Sequence, residues 1–331
     1  MLKLSQVQQV HVELTTRCNA RCPMCMRNYR GYDYNSGYPL CELGLKEFKH
    51  ILPPERFPSI GMVNFNGNLG DFANAKDAVE IVEYLVDLGV KVSINSNGSL
   101  RSPAWWAKLA RPGVTIGFAL DGMEDTHSLY RQDTNWKRII ENATAYIKAG
   151  GKAIWRFVPF EHNQHQQQAC KQLSQDLGFV QFENIYDGRE STPVYTRDGE
   201  FSHQIGKPFD STIPKIRDLL TSHITWFDAK TVKVDRDITP LNLRCIHKVN
   251  REIYIAANGS VYPCCFLGFY PATMKHPGNS QLLPMVKENN ALEYDLEHCM
   301  QWFEQVEESW KQESIAQGRL YTCVNTCGRT T

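Results

Sequence analysis

Three cysteines, Cys18, Cys22 and Cys25, stand in a C-x3-C-x2-C spacing directly after an apolar run at residues 7–14. Thiolates this close in sequence can converge on one soft metal centre, and thiolate-rich sites favour zinc, Cu(I) or iron–sulfur clusters. The number three is informative. A structural zinc site normally closes with four protein ligands, and the usual ferredoxin cluster also takes four cysteines. No fourth Cys or His follows within the loop, the next cysteine being Cys41, so a cubane held here keeps one iron open. An open iron can bind a small ligand through amino and carboxylate groups. A zinc knuckle or a set of buried free thiols is the alternative, since C-x2-C alone is common.

The longer run Glu13-Leu14-Thr15-Thr16-Arg17-Cys18-Asn19-Ala20-Arg21-Cys22-Pro23-Met24-Cys25 resembles the cluster loop of the radical S-adenosylmethionine (SAM) superfamily. The resemblance implies a catalytic [4Fe–4S] cluster on Cys18, Cys22 and Cys25, with SAM chelated to the open iron. One electron from the cluster would cleave SAM to a 5′-deoxyadenosyl radical, which removes a hydrogen atom from an inert C–H bond. A low-potential donor of flavodoxin or ferredoxin type is the implied partner.

Composition is consistent with this reading. The 331 residues suffice for about two domains. The 36 basic and 36 acidic residues cancel, so nothing in the overall field attracts a polyanion and nucleic acid is not the expected substrate. The first residues lack the apolar core of a signal peptide, and no apolar run approaches the ~20 residues of a membrane span. A cytoplasmic protein is expected, in which the eleven cysteines suggest metal before disulfides.

Strand-type runs at residues 10–14, 62–65, 90–94, 114–119, 153–157 and 179–182 alternate with helical periodicity, the pattern of βα units on a parallel sheet. Residues 75–88 carry Ala78, Val79, Val82, Leu85 and Val86 on one helical face. Ser102 and Pro103 offer an N-cap and a first-turn proline before Trp105, Trp106 and Leu109. Residues 136–149 and 164–177 read as two more helices. Six strands are too few for an eight-stranded barrel. The fold implied by the resemblance is α/β: a partial (β/α)6 TIM-like barrel over residues 1–186, open on one side, with its chemistry at the C-terminal strand ends.

Each strand ends in polar or glycine residues. Gly67, Asn68, Gly70 and Asp71 follow the second strand and occupy the place of the family's Gly-Gly-Glu motif, which holds the SAM amino group. Asp is also a common turn and cap residue. Asn95, Asn97 and Gly98 follow the third strand. Asp121, Gly122, His127 and Arg131 follow the fourth and resemble the family's "SLDG…H…R" stretch. Ala119 stands where many relatives have a ribose-binding serine, and Asn97 is the candidate replacement. Arg131 is a candidate for the SAM carboxylate or for a structural ion pair, and His127 for a cap or brace. Past the fifth strand, Phe157 and Val158 suit either adenine packing or core, and Asn163 could read the adenine edge. His162 and His165 lack further ligands and are not expected to bind metal.

From 187 to 243 the periodicity weakens, so this segment is expected to link two domains and to help cover the barrel's open side. Tyr186, Arg189, Tyr195 and Arg197 could meet substrate there or simply pack on the surface. The last stretch, 244–331, carries Cys245, Cys264, Cys265, Cys323 and Cys327. Residues 253–262 read as a β-hairpin about Asn258-Gly259. Together Cys245, Cys264 or its neighbour Cys265, Cys323 and Cys327 make four thiolates for one cluster, or for a zinc ribbon. The arrangement Cys245…Gly259…Cys264 resembles the twitch domain, the shorter relative of SPASM, implying a small α+β domain with one auxiliary [4Fe–4S] cluster. Residues 292–316 read as one long helix with Leu296, Met300, Phe303, Val306 and Trp310 on its packing face. Cys41, Cys170 and Cys299 lie singly, and the last two are expected to be buried thiols.

The whole predicts a radical SAM oxidoreductase whose auxiliary cluster accepts an electron from an unidentified small molecule or peptide side chain. The start of the chain so close to its first strand leans toward a small molecule, or toward a peptide held by the barrel mouth and residues 187–243. A non-enzymatic iron–sulfur carrier or zinc scaffold is the alternative from another class.

Overall fold

The computed structural model of the chain describes residues 2–32, 39–185, 191–207, 242–243, 245–269 and 281–329. Six strands, β1 (Gln9–Val12), β2 (Met62–Phe65), β3 (Lys91–Ser96), β4 (Val114–Ala119), β5 (Lys152–Phe157) and β6 (Gln181–Asn184), lie side by side in chain order. Every neighbouring pair is parallel. Between them run α1 (Leu45–Ile51), α2 (Ala78–Asp87), α3 (Pro103–Lys108), α4 (Glu124–Tyr130), α5 (Trp136–Lys148) and α6 (Gln167–Asp176). This is the α/β partial-barrel arrangement expected of the alternating pattern.

The two faces of the sheet differ in chemistry because side chains alternate along a strand. Val63, Phe65, Ile94, Ile116, Phe118, Trp155 and Phe157 are buried toward the helices. There Phe48 of α1 meets Phe65 at 6.1 Å between ring centroids, and Trp106 of α3 meets Phe118 at 5.1 Å. Each such ring contributes roughly 1.5–3 kcal/mol by burial. The intervening positions include the partly buried polar side chains Asn64, Asn95 and Arg156, and Gly117, which is buried and has no side chain. The helix starts follow the sequence: the Ser102 side chain accepts from Trp105 N, with Pro103 at the first helical position, and the Asn135 side chain accepts from Arg138 N.

Three regions differ from expectation. The segment after β6 is not without structure of its own: β7 (Thr192–Tyr195) and β8 (Phe201–Ile205) form an antiparallel hairpin. Val194 and Ile205 on it are fully buried in a small core with Ala20, Cys22, Tyr130, Val158 and Phe160. Residues 208–241 of that segment, and Tyr186 and Arg189, lie outside the described residues.

The sheet also does not stop at β1. A short strand β9 (Asn242–Leu243) precedes α7 (Ile246–Val249), and then β10 (Glu252–Ile255) pairs parallel with β1, matching Val10 to Ile253 and Val12 to Ile255. Strand β11 (Val261–Tyr262) returns antiparallel beside β10, through a turn in which Gly259 has φ +86°. The expected C-terminal hairpin thus extends the barrel's own sheet to eight strands. Helix α8 (Cys265–Phe269) follows, and β12 (Gly328–Arg329) pairs antiparallel with β9.

Finally, the expected long helix over 292–316 is broken into Leu296–Cys299 and Phe303–Ser309. Cys299, Met300, Trp302 and Phe303 are all at most 4% exposed. Four nearly consecutive residues wrap more than one face of a straight surface helix, and the break at 300–302 lets all four turn inward.

Candidate active site

The three cysteines occupy the loop that leaves β1. A turn is closed by Cys25 N donating to Cys22 O at 2.9 Å, and the buried Asn28 donates from Nδ2 to the same carbonyl at 3.0 Å while accepting from Gly31 N. Burial, reinforced by Asp71, Cys22 and Cys25, pushes the Cys18 thiol well above the ordinary range. The Cys18 thiol thus holds its proton until a cation compensates the charge, which is the chemistry of a metal-binding residue. Two side-chain donors and one backbone donor face the sulfurs: Arg131 Nη1 is 3.7 Å from Cys22 Sγ, and Asn97 Nδ2 and Ala20 N are 3.8 and 3.4 Å from Cys18 Sγ. Among the described residues no three His, Cys, Asp or Glu side chains close on a single metal ion. Three cysteine thiols lining one cavity are the donor chemistry of an iron–sulfur cluster, which the set fits.

These thiols open onto a cavity of about 430 Å³ at the C-terminal ends of the strands, within the usual range of ~300–1,000 Å³ for a small-molecule site. Of the residues singled out in sequence for cofactor binding, Gly67, Asn68, Gly70, Asp71, Asn95, Asn97 and Arg131 line it. Asp121 and Asn163 do not; both are fully buried behind the wall. Asp121 accepts from Val158 N at 2.6 Å and from Arg131 Nε at 2.5 Å. Asn163 accepts from Phe160 N and donates to the carbonyls of Asp121 and Val158. Both brace the strand ends, and Arg131 carries a structural ion pair while also facing the cysteine loop. His127 is the expected brace, its Nδ1 accepting from Asp121 N at 3.1 Å.

Asp71 lines the cavity, but its oxygens are taken up by Ala73 N, Ser96 Oγ and Asn97 N, at 3.0, 2.8 and 2.7 Å. It caps a turn and ties the second strand's loop to the third's. The shape of that loop comes from Glu13, a buried acid that accepts from Leu69 N at 2.6 Å and Gly70 N at 2.9 Å and takes the Tyr254 hydroxyl at 3.0 Å. Gly70 passes so close to β1's continuation that any Cβ would overlap the Thr15 carbonyl. Sequence reading placed Glu13 in the motif without assigning it this work.

His11 was missed altogether. It meets Asn66 O at 2.5 Å and, across the β1–β10 seam, lies 3.7 Å from Glu252, which in turn bonds His247 at 3.0 Å. Burial opposes its charge, but bonds to Cys265 and Glu252 hold His11 protonated up to about 10. Its signal was a polar residue inside an apolar strand. His162 stacks on Phe160 and is kept neutral to about 4, chiefly by burial. Tyr195 and Arg197 face the cluster loop and its neighbour, through Tyr195 N on Arg30 O and an Arg197–Asp133 pair.

A second, smaller cavity of about 50 Å³ is lined by Cys245, Cys264, Cys323 and Cys327 together with apolar side chains such as Leu267 and Phe303. The pairing of β9 with β12 draws the two ends of this set together. Burial pushes Cys323 up to about 12 and Cys327 to about 11. Cys265 does not line this cavity; its thiol bonds His11 and its carbonyl accepts from Asn68 Nδ2 at 2.9 Å. The donor set, four thiols in an apolar pocket, fits a fully ligated cluster. Cys170 and Cys299 are buried singly.

Residues 12–165 match the model of the Radical SAM superfamily. The chain therefore carries a radical SAM domain, the module of the radical SAM enzymes. It is 26% identical over 190 residues to the cysteine-type anaerobic sulfatase-maturating enzyme of Clostridium novyi, covering 54% of this chain and 50% of that protein. It is 33% identical over 121 residues to the AdoMet-dependent heme synthase of Methanosarcina barkeri, covering 36% of this chain and 33% of that one. The matches thus span half or less of these relatives' length. In fold it is similar to SuiB of Streptococcus suis bound to S-adenosylmethionine, with a TM-score of 0.59 at 17% identity over 97% of this chain and 68% of that one. SuiB bound to its precursor peptide SuiA gives 0.58, also at 17% identity, over 89% and 65%. No helix among the described residues is long and apolar enough to cross a membrane.

Proposed function

We propose that the chain is a radical SAM oxidoreductase with a catalytic cluster on Cys18, Cys22 and Cys25 and an auxiliary cluster on Cys245, Cys264, Cys323 and Cys327. The observation that supports it is the division of the thiols: three line the larger cavity at the strand ends, and four line a smaller, mainly apolar one. When bound, the two groups supply a 5′-deoxyadenosyl radical for hydrogen abstraction and an acceptor for the substrate's remaining electron.

The protein's part is positioning. Glu13 fixes the Gly67–Gly70 backbone, Asp71 fixes Asn97 against Cys18, and Asp121 fixes Arg131 against Cys22. Hydrogen bonds to ligating sulfurs tune a cluster's potential, so Asn97 and Arg131 favour the reduced, more negative state. Phe269 of α8 lines the same cavity as the cluster cysteines, bringing the auxiliary region to the edge of the substrate space. The hairpin β7–β8 covers the cluster loop and keeps water from it. The substrate is a small molecule or a peptide side chain. SuiB, solved with a precursor peptide, supports the second.

The test is anaerobic reconstitution with iron and sulfide, followed by iron counting and an assay for 5′-deoxyadenosine from SAM and a strong reductant. About eight irons per chain with deoxyadenosine release is expected from two four-iron clusters. About four irons with release would return the C-terminal thiols to zinc or structure. No cleavage by an intact cluster would leave an electron carrier. In Cys323→Ala, deoxyadenosine should persist while oxidised product is lost, and unchanged product would remove the electron-accepting role.

A further inference from the structure

The cavity wall below the strand ends holds polar groups that the hydrogen-bond network described above leaves unpaired. Asn95 on β3, Gly117 on β4 and Arg156 on β5 all line the cavity. Asn95 pairs in register with Gly117, and Arg156 stands one strand further on, opposite Ala119. Asn95 Oδ1 is buried with no hydrogen-bond partner among the described residues. Arg156 forms an ion pair with Glu183 on β6, Nε to Oε2 at 3.2 Å, but like Asn95 Oδ1 its buried Nε makes no hydrogen bond among the described residues. Gly117 makes the room between them: a Cβ there would sit 2.6 Å from Arg156 Nε and 2.8 Å from Asn95 Oδ1.

A buried acceptor without a donor is costly, and such atoms in a native fold call for a specific reason. Here an acceptor that lacks a donor faces, across a glycine gap, a donor with spare N–H groups. Glu183 cancels the guanidinium charge, so the wall offers alternating acceptor and donor with no net charge. A phosphate or free carboxylate would meet Asn95 Oδ1 as a repelling acceptor, and the guanidinium charge it would pair with is already matched by Glu183. A backbone amide matches both: its C=O accepts from Arg156 while its N–H donates to Asn95 Oδ1. We propose that Asn95, Gly117 and Arg156 form a subsite for a main-chain amide, so that the substrate is a peptide. This deepens the proposed function and rests on it for what the subsite serves.

The test is anaerobic equilibrium dialysis of the reconstituted, SAM-loaded full chain with the blocked tripeptide acetyl-trialanine amide, with acetate and inorganic phosphate as separate probes. The tripeptide should bind in preference to either anion. Arg156→Gln removes the donor and Gly117→Ala fills the gap. Each should weaken tripeptide binding at least about tenfold, the scale of a lost hydrogen bond to a charged group, while leaving SAM retention unchanged. Should Gly117→Ala fail to fold, Arg156→Gln alone decides. Tripeptide binding that is absent from the wild type or equal in the variants would overturn the subsite, as would preference for acetate or phosphate. Equal loss of SAM and tripeptide in Arg156→Gln would assign the residue to SAM instead. Failure of the wild type to retain SAM would sink the functional reading separately, and dialysis of the tripeptide without SAM would then still decide the subsite.

Discussion

At Gly70 the backbone of the second strand's loop lies against the Thr15 carbonyl, with its N–H held at 2.9 Å by Glu13. Backbone against backbone leaves no flexible atom to give way, so Gly70→Ala must push the loop off β1. A displacement on the order of 1 Å in a reacting geometry costs roughly 100-fold. We expect SAM cleavage to fall by about that factor with the iron content of the Cys18 set unchanged. Gly61→Ala, which meets nothing within 4 Å, should cleave SAM at the normal rate. Equal activity in both variants would show that the loop does not position SAM. The contrast with Glu13 shows what sequence can carry at this scale. The thiol spacing is legible because its meaning is local. Glu13's role is not, since its partner Tyr254 lies 241 positions away.

Helix α4 is an element fixed by a residue in an unusual state. His127 has its Nδ1 occupied by Asp121 N and its Nε2 3.0 Å from Thr134 Oγ1. Burial, opposed in part by the Asp121 charge and aided by the smaller effect of Arg131, lowers its pKa from 6.5 to about 4. The folded state therefore takes up this proton later than the unfolded chain does. Its contribution to stability is complete above about pH 6.5 and drains away as pH falls toward about 4. Urea midpoints measured between pH 7 and pH 4.5 should fall more steeply for the wild type than for His127→Gln, and parallel curves would show that His127 does not titrate with folding. Elements of this kind were legible where the pattern repeats, as in the six parallel strands and the Ser102–Pro103 helix start. The β7–β8 hairpin was hidden because its buried residues, Val194 and Ile205, are few and face the cluster loop, so no periodic stripe marks them.

For the whole molecule, the decisive feature is that β10 continues the barrel sheet beside β1. A division into a barrel and an appended C-terminal unit, natural from the change of composition along the chain, does not see a pairing between residues 9–12 and 252–255. Short parallel strands carry no sequence mark of which neighbour they choose. The seam is also where chemistry crosses: Tyr254 bonds Glu13, Glu252 faces His11, and Asn68 bonds the carbonyl of Cys265. A chain cut after residue 243 would leave β1 as an open edge, strip Glu13 of its hydroxyl donor, and bare the apolar contacts of Ile253 and Ile255. Unpaired apolar edges of this kind seed association, and a buried acid that loses its partner costs about 1–3 kcal/mol or more. We therefore expect residues 1–243 alone to aggregate and to hold neither SAM nor a stable cluster, read by gel filtration and iron content. A soluble monomer with intact far-ultraviolet dichroism would show instead that the barrel folds independently, and that the continuous sheet is a docking contact between two finished units.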